Sequence, residues 1–347
     1  MTTIALIPAY NEAESIGPTL TALATQETPV DRIIVIANNC TDNTAAVAAS
    51  YGAEVIVMKD NPHMKAGALN YALKTMLPSL EETDRILVQD ADSFLDPGFV
   101  TATMAALDDG YSAAGGNFRG REGGGLCGAF QRNEYHRYKR ETAHKGGKVL
   151  CITGVGTMFT VSALRAVVRA IADGSLPDSG GGYCYSYATL TEDNWMTMAL
   201  RQLGHKVISP TDATMTTEVM LTWRELGKQR LRWKRGAIED LLSFGVSRKT
   251  VGGWLRQLVG FIGVVCSITY VGLLLAAPLM SGVHVRPLFL GITVLYAFER
   301  AFTIRGRGWR ISMLSLTLVG EWIYDLFLQA VHVRALAGTA LRTSTSW

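Results

Sequence analysis

Four short apolar runs, each stopped by a polar turn, set the rhythm of the first hundred residues. They are IALI (4–7), IIVIA (33–37), EVIVM (54–58) and ILVQ (86–89). Their length and β-branched content predict strands. Between them, Glu12–Leu23 and Lys65–Leu77 carry apolar residues at helical spacing. Strand–helix–strand repetition with short polar turns predicts an α/β domain, with a mostly parallel sheet covered by helices on both faces. Ligands of such sheets bind outside the carboxyl ends of the strands. Those ends read PAYNE, NNCTD and DADS, so a site is expected where the three turns meet. The first turn has no GxGxxG pattern and the chain has no Walker A loop, which argues against a dinucleotide and a P-loop nucleotide.

From about residue 110 to 190 the pattern turns irregular and glycine-rich, with GGNFRGREGGG, HKGG and DSGGG. Inside it, Cys127–Ala143 reads as an amphipathic helix, and Ser179–Gly182 as a flexible connection. A further helix is expected to open at TEDNWMTMALRQLG (191–204), with Thr191 as its cap, acids in its first turn and Gly204 after its end. Further on, Leu258–Met280 is free of charge over 23 residues, long enough to cross a bilayer. Pro287–Ile304 and Ile311–Val331 are weaker candidates, since they contain Glu299, Glu321 and Asp325. These acids could line a polar path or pair with Arg300 or a neighbour. Arg305, Arg307 and Arg310 between them suit a cytoplasmic loop, on the same side as the first domain. The expected division is a catalytic domain over 1–240 and an interfacial and transmembrane helical region over 241–347.

Composition narrows the classes. Of 347 residues 48% are hydrophobic, which favours membrane contact, and the net charge is only +3. A nucleic-acid role would have to rest on one local basic patch, and none is expected. The five cysteines are scattered without a CxxC pair, so they predict reduced thiols, neither a disulfide frame nor a zinc site. The first residues, MTTIALIPAYNE, lack the basic start and apolar core of a signal peptide.

Four clusters carry chemistry. Asp90 and Asp92 follow a strand, and residues two apart in an extended chain point the same way. Such a pair can hold a divalent cation that bridges phosphate oxygens. Lys65 opens a helix, where an ammonium and nearby backbone donors suit a phosphate. Asp193 lies in a first helical turn, where the dipole favours the ionised form that a base requires. Finally, KQRLRWKRG (228–236) holds five cations and one tryptophan. On a helix, Gln229, Arg232 and Trp233 share one face, suited to an anion and a sugar ring. Arg230 and Lys234 fall on roughly the opposite face, and are expected to lie against lipid headgroups.

In order, PAYNE, NNCTD, KAGALNYAL, DADS, TED and QRLRW resemble a family 2 glycosyltransferase. The likeness is greatest to the membrane-embedded branch with the cellulose, chitin and hyaluronan synthases, and covers roughly residues 3 to 240. It implies a GT-A fold, a Rossmann-like nucleotide-sugar-binding domain, followed by C-terminal hydrophobic helices. It also implies roles. Pro8, Ala9, Tyr10 and Glu12 would line the uridine pocket, with Lys65 on the nucleotide. Asp90 and Asp92 would bind the nucleotide and a Mg2+ or Mn2+ ion. Asp193 would be the base, with Glu192 and Trp233 at the acceptor. Gln229 and Arg232 would hold the diphosphate, and Trp233 would also border the donor. The second turn departs from the family pattern, which has an aspartate for the base; here Asn38 and Asn39 stand ready to hydrogen-bond it. The implied activity is inverting transfer from a nucleotide sugar, a UDP-sugar above all, to a saccharide, lipid-linked or protein acceptor, at a membrane with the catalytic domain facing the cytoplasm. Two alternatives are a single-sugar transferase acting on a polyprenyl phosphate or a protein, and a non-catalytic subunit that binds nucleotide sugars.

Overall fold

The computed structural model describes residues 1–276, 287–316 and 318–343. The chain opens with β1 (Thr3–Ala9), α1 (Ile16–Ala24), β2 (Arg32–Asn38), α2 (Thr44–Ser50), β3 (Glu54–Met58), α3 (Met64–Met76) and β4 (Arg85–Gln89). Each expected apolar run lies in one of these strands. The first expected helix begins four residues late, because Tyr10–Ser15 makes a turn whose Glu12 carbonyl accepts from the Ser15 and Ile16 amides. Then come β5 (Phe94–Leu95), α4 (Phe99–Asp108), β6 (Ala113–Gly115), β7 (Asn117–Gly120), α5 (Gly125–His144), β8 (Gly156–Thr160), α6 (Val161–Ala172), α7 (Glu192–Gln202), β9 (Val207–Ile208), β10 (Thr214–Thr217) and α8 (Trp223–Phe244).

Seven strands form one sheet in the order β3-β2-β1-β4-β8-β6-β9. The first four are parallel, as the alternating pattern predicts. β8 then runs against both neighbours, so the sheet is mixed. A three-stranded sheet, β5-β10-β7, packs beside it. Both faces of the large sheet are covered. Ile4, Leu6, Ile36, Leu69 and Trp195 lie in one buried cluster, while Ile7, Leu23, Val35, Phe99 and Met215 lie in the other. Alternate residues of β1 serve opposite clusters, which is the period-two signature of a strand buried on both sides. All five cysteines are free.

The rest is helical: α9 (Val251–Ala276), α10 (Pro287–Thr303), α11 (Trp309–Leu316) and α12 (Val319–Ala340). Among the described residues one helix is long and apolar enough to cross a bilayer, over Val251–Leu273 with a mean hydropathy of 1.5. It covers most of the expected Leu258–Met280 span, whose last residues, 277–280, lie outside the described ones. The expectation of a span over Ile311–Val331 is corrected. Leu318 sits in the left-handed region at φ 58°, so this segment is divided between two helices. Its acid is spent on packing: Glu321 is buried and takes two hydrogen bonds from the Arg137 guanidinium of α5, both of 2.8 Å. The pairing with Arg300 is found too, with Arg300 Nη2 2.9 Å from Asp325 Oδ2. Pro287–Ile304 becomes α10, 17 residues long over the described residues, at the lower end of the roughly 17–25 that spans use.

Candidate active site

Lys65 is the centre of the site. It enters from the first turn of α3, and its Nζ lies 2.5 Å from Asp90 Oδ1, just beyond β4. The same ammonium donates to the Gly154 carbonyl at 2.9 Å and stands 3.4 Å from Glu192 Oε1, at the start of α7. One cation thus joins the DADS turn to the TED turn. Burial disfavours its charge, but Asp90, Glu192 and then Asp193 hold it charged well above the usual lysine range.

The DADS segment differs from its expected shape. β4 ends at Gln89 and residues 91 and 92 turn, so strand alternation does not aim the two carboxylates. They remain close enough to act on each other. Burial raises the Asp90 carboxyl, Lys65 lowers it and Asp92 raises it again. Glu12 is also raised, first by burial, then with Asp92, Glu218 and Asp90 adding repulsion after its bond from Ser15 is counted. Among the described residues no three or more His, Cys, Asp or Glu side chains gather around one point. Two carboxylates suit a hard divalent cation that completes its shell with diphosphate and water oxygens. The donor set therefore fits Mg2+ or Mn2+.

Asp193 lies across the pocket. Its Oδ2 accepts from the Gly154 amide at 3.1 Å and its Oδ1 from the Asn194 amide at 2.8 Å. Burial above all, then the neighbouring Glu192 carboxylate, pushes its carboxyl up to about 6. Glu192 itself stays below the usual range: burial works against it, but Lys65 and then Arg232 favour its charge. A side chain at 154 would meet this arrangement head-on, since a Cβ there would lie 3.2 Å from the Asp193 carboxylate. Lys65, Gly154, Glu192, Asp193, Thr153 and Tyr185 all line one pocket.

Thr191 stands at the cap position of α7 but makes no capping bond. Its hydroxyl turns to Asp240 of α8, at 3.3 Å. Asp240 also accepts from Thr189 Oγ1 and Asn194 Nδ2, both at 2.7 Å, and is 3% exposed. Desolvation raises its carboxyl to about 7, against the pull of these three donors. Sequence reading missed Asp240, and its only signal was an acid on the helix that carries QRLRW. Gly236, one turn earlier, permits the contact, because a Cβ there would lie 2.4 Å from Thr191 Oγ1.

The other expected positions divide. Pro8 and Ala9 end β1, and Tyr10 is 60% exposed beside them. Asn38 and Asn39 are engaged with a third asparagine. Asn61 Nδ2 donates to Asn38 Oδ1 at 2.8 Å, and Asn39 exchanges bonds of 2.8 and 3.0 Å with the Asn61 backbone. Their polar atoms pin α3 to β2. Gln229 is half-buried and Arg232 exposed on α8. Trp233 is half-buried, with the Arg230 guanidinium 4.3 Å from its ring centroid.

Arg230 corrects the two-faced reading of the basic stretch. It is 3% exposed, bonded to Glu134 Oε2 of α5 at 3.0 Å, and Tyr324 of α12 donates to the same oxygen at 2.6 Å. It ties three helices together and does not face lipid. Lys234 is half-buried beside it, its ammonium disfavoured first by burial. The glycine-rich connection is fixed as well: Ser179 is buried, its carbonyl accepts from the Tyr187 amide at 2.7 Å, and Tyr187 stacks on His63 with ring centroids 3.8 Å apart.

Residues 2–236 match the family described as "Glycosyltransferase like family 2". The chain is 27% identical over 246 residues to a poly-beta-1,6-N-acetyl-D-glucosamine synthase of Staphylococcus epidermidis, covering 68% of this chain and 55% of that protein. It is 26% identical over 352 residues to the cellulose synthase 1 catalytic subunit [UDP-forming] of Komagataeibacter xylinus, covering 94% of this chain and 44% of that one. The chain thus spans about half the length of these curated relatives. Among solved structures, the mannosyltransferase PcManGT from Pyrobaculum calidifontis, in complex with GDP-Man and Mn2+, superposes with a TM-score of 0.63 at 16% identity. That match covers 99% of this chain and 88% of the other, and the likeness is one of fold.

Proposed function

The chain belongs to glycosyltransferase family 2, and from that premise we propose that it moves a sugar from a nucleotide diphosphate donor to an acceptor hydroxyl with inversion. The observation that carries this reading is the Lys65 bridge. It sets a carboxylate pair suited to a diphosphate-bound cation opposite a buried carboxylate suited to a base.

Asp193 takes the proton of the acceptor hydroxyl as its oxygen attacks the anomeric carbon, and the bond to the diphosphate breaks on the far side. A carboxyl near 6 is ionised at neutral pH and still basic enough to share a proton in the transition state. Attack opposite the leaving group gives a β-linked product from an α-linked donor. The departing diphosphate gathers charge. Gln229 and Arg232 of α8 meet it with a hydrogen-bond donor and a cation. Asp90 and Asp92 would hold a Mg2+ or Mn2+ ion, which would supply further positive charge there. Pro8, Ala9, Tyr10 and Glu12, with Asn38 and Asn39, border the nucleoside, and Trp233 borders the sugars. The name of the cellulose synthase relative supports a UDP-sugar donor, and α9 supports a membrane-bound enzyme. In this reading residues 1–240 lie on the cytoplasmic side.

The experiment is a donor screen on detergent-purified protein with Mn2+ or Mg2+, across UDP-, GDP- and dTDP-sugars. Nucleoside diphosphate release from one donor, lost in Asp92→Ala and in Asp193→Asn, is the expected result. Retained turnover in Asp193→Asn would remove the base from this account.

A further inference from the structure

A second cleft opens on another side of the molecule, and the transfer chemistry makes no use of it. Its volume is about 380 Å3. One wall is a single stripe of α5, where Tyr138, Glu141, Thr142 and Lys145 follow the i, i+3, i+4, i+7 spacing of one helix face. Lys148, Val149 and Leu150 form the floor, and Arg256 of α9 closes the far side.

The charges do not cancel. Lys145 Nζ is 2.5 Å from Glu141 Oε1, which neutralises that pair. Lys148 and Arg256 have no ion-pair partner among the described residues and are both exposed. Lys234 of α8 stands behind them, close enough for Arg256 to disfavour its charge further. Two cations in excess around one concave surface, with a tyrosine and a threonine hydroxyl beside them, form an anion site of phosphate character.

What adjoins the cleft is apolar. Arg256 lies in the second turn of the helix whose stretch Val251–Leu273 is long enough to cross a bilayer, and only 6% of that stretch is buried. Leu258, Val259 and Ile262 continue from Arg256 as exposed side chains. An arginine at the end of such a helix reaches the headgroup level of a membrane. Leu150 also leads directly to the active site, because four residues on, the Gly154 amide holds Asp193. An extended stretch of that length spans at most about 14 Å.

We propose that this cleft binds the phosphate head of an anionic membrane lipid, with the lipid tail laid along α9. Its floor at Leu150 continues into the segment whose Gly154 amide holds Asp193, so the cleft adjoins the chain that shapes the active site. The proposal rests on the membrane-bound reading given above, and its test reads binding, so the two fail separately.

The full chain is titrated against vesicles of phosphatidylcholine alone, with phosphatidylglycerol, or with a polyprenyl phosphate. About 1 kcal/mol per surface cation over two cations gives a roughly 30-fold preference for the anionic vesicles. Lys148→Glu with Arg256→Glu should abolish that preference. Lys74→Glu with Arg169→Glu, which makes the same charge change on α3 and α6, should keep it. Equal loss in both double variants, or none in the first, would overturn the site. Preference for either anionic lipid supports it and names its source. Displacement by millimolar inorganic phosphate at constant ionic strength would assign the cleft to free phosphate and overturn the lipid. Nucleotide release by the same preparations is followed in parallel, and its failure with intact vesicle binding would fall on the transferase reading alone.

Discussion

Asn194 and Asp240 meet at 2.7 Å where α7 crosses α8, one residue from the proposed base. The amide of one and the carboxylate of the other fix the helix that carries TED to the helix that carries QRLRW. Base and leaving-group contacts are therefore held in mutual register by a buried acid that touches neither substrate. Asp240→Ala should lower kcat about 10- to 100-fold, the scale on which small misplacements act. Nucleotide affinity by calorimetry should stay within about twofold of wild type. Asp240→Asn keeps the volume and one acceptor, and should recover most of the rate.

Gly236→Ala tests the same crossing from the other side. The new methyl would lie 2.4 Å from Thr191 Oγ1. Overpacking of this kind costs about 1–3 kcal/mol. The expected result is a lower urea midpoint together with a fall in transfer, whereas unchanged values of both would show that the helices yield freely.

The rate should fall as pH drops through about 6, where Asp193 takes up a proton. Glu192→Gln removes a like charge from its side, so the acid limb should move to lower pH. Stability runs the opposite way. The folded carboxyl titrates above its unfolded value, so its favourable contribution is complete below the unfolded pKa and is lost as pH rises through about 6. Asp193→Asn should accordingly be more stable than wild type at pH 7.5, by about 1–3 kcal/mol, with the gap closing near pH 4. Denaturant melts at the two pH values measure it.

Lys65→Met would leave Asp90 and Glu192 facing each other without the shared cation. Their side chains are 30% and 25% exposed, so the cost falls between those of surface and buried pairs, about 2 kcal/mol. Transfer should be lost. Lys65→Arg restores charge but not shape, and should recover stability before activity. A melt and a turnover assay on both variants separate the two effects.

Arg230→Ala would strand Glu134 and the Tyr324 hydroxyl between α5, α8 and α12. Arg230 is 3% exposed but Glu134 is 36% exposed, so the cost falls between those of surface and buried pairs, about 2 kcal/mol. The expected signature is faster hydrogen exchange in α12 with the first sheet still protected. Arg230→Lys keeps the charge but loses the planar stack on Trp233 and should fall between the two.

The parts that local pattern could reach were legible in the sequence. IALI, IIVIA and ILVQ are buried on both faces and EVIVM is the β-branched edge strand, so their apolar runs announce strands without ambiguity, and the turns after them carry the acids and asparagines that ligand binding suggests. β5, β9 and β10 escaped because they are two to four residues long and held by pairing with distant segments. Periodicity could not find Asp240, since the direction in which a helix turns an acid depends on what crosses it. Arg230 misled for the same reason. A dense basic run reads as surface until Glu134 and Tyr324, far along the chain, are placed against it. The break at Leu318 lies in an apolar stretch whose composition suggests one continuous helix, and the pairing of Glu321 with Arg137 depends on a partner far along the chain that local pattern does not show.

The reversed direction of β8 has an evolutionary consequence. Because this strand runs against β4, the chain passes the pocket on its way into the sheet, at Thr153 and Gly154, and not on its way out. One side of the pocket comes from residues 65–88 and the other from 152–196, and Lys65 ties them together at Glu192. Under the proposed roles, substitutions in the later stretch would alter the acceptor side and leave the donor side in place.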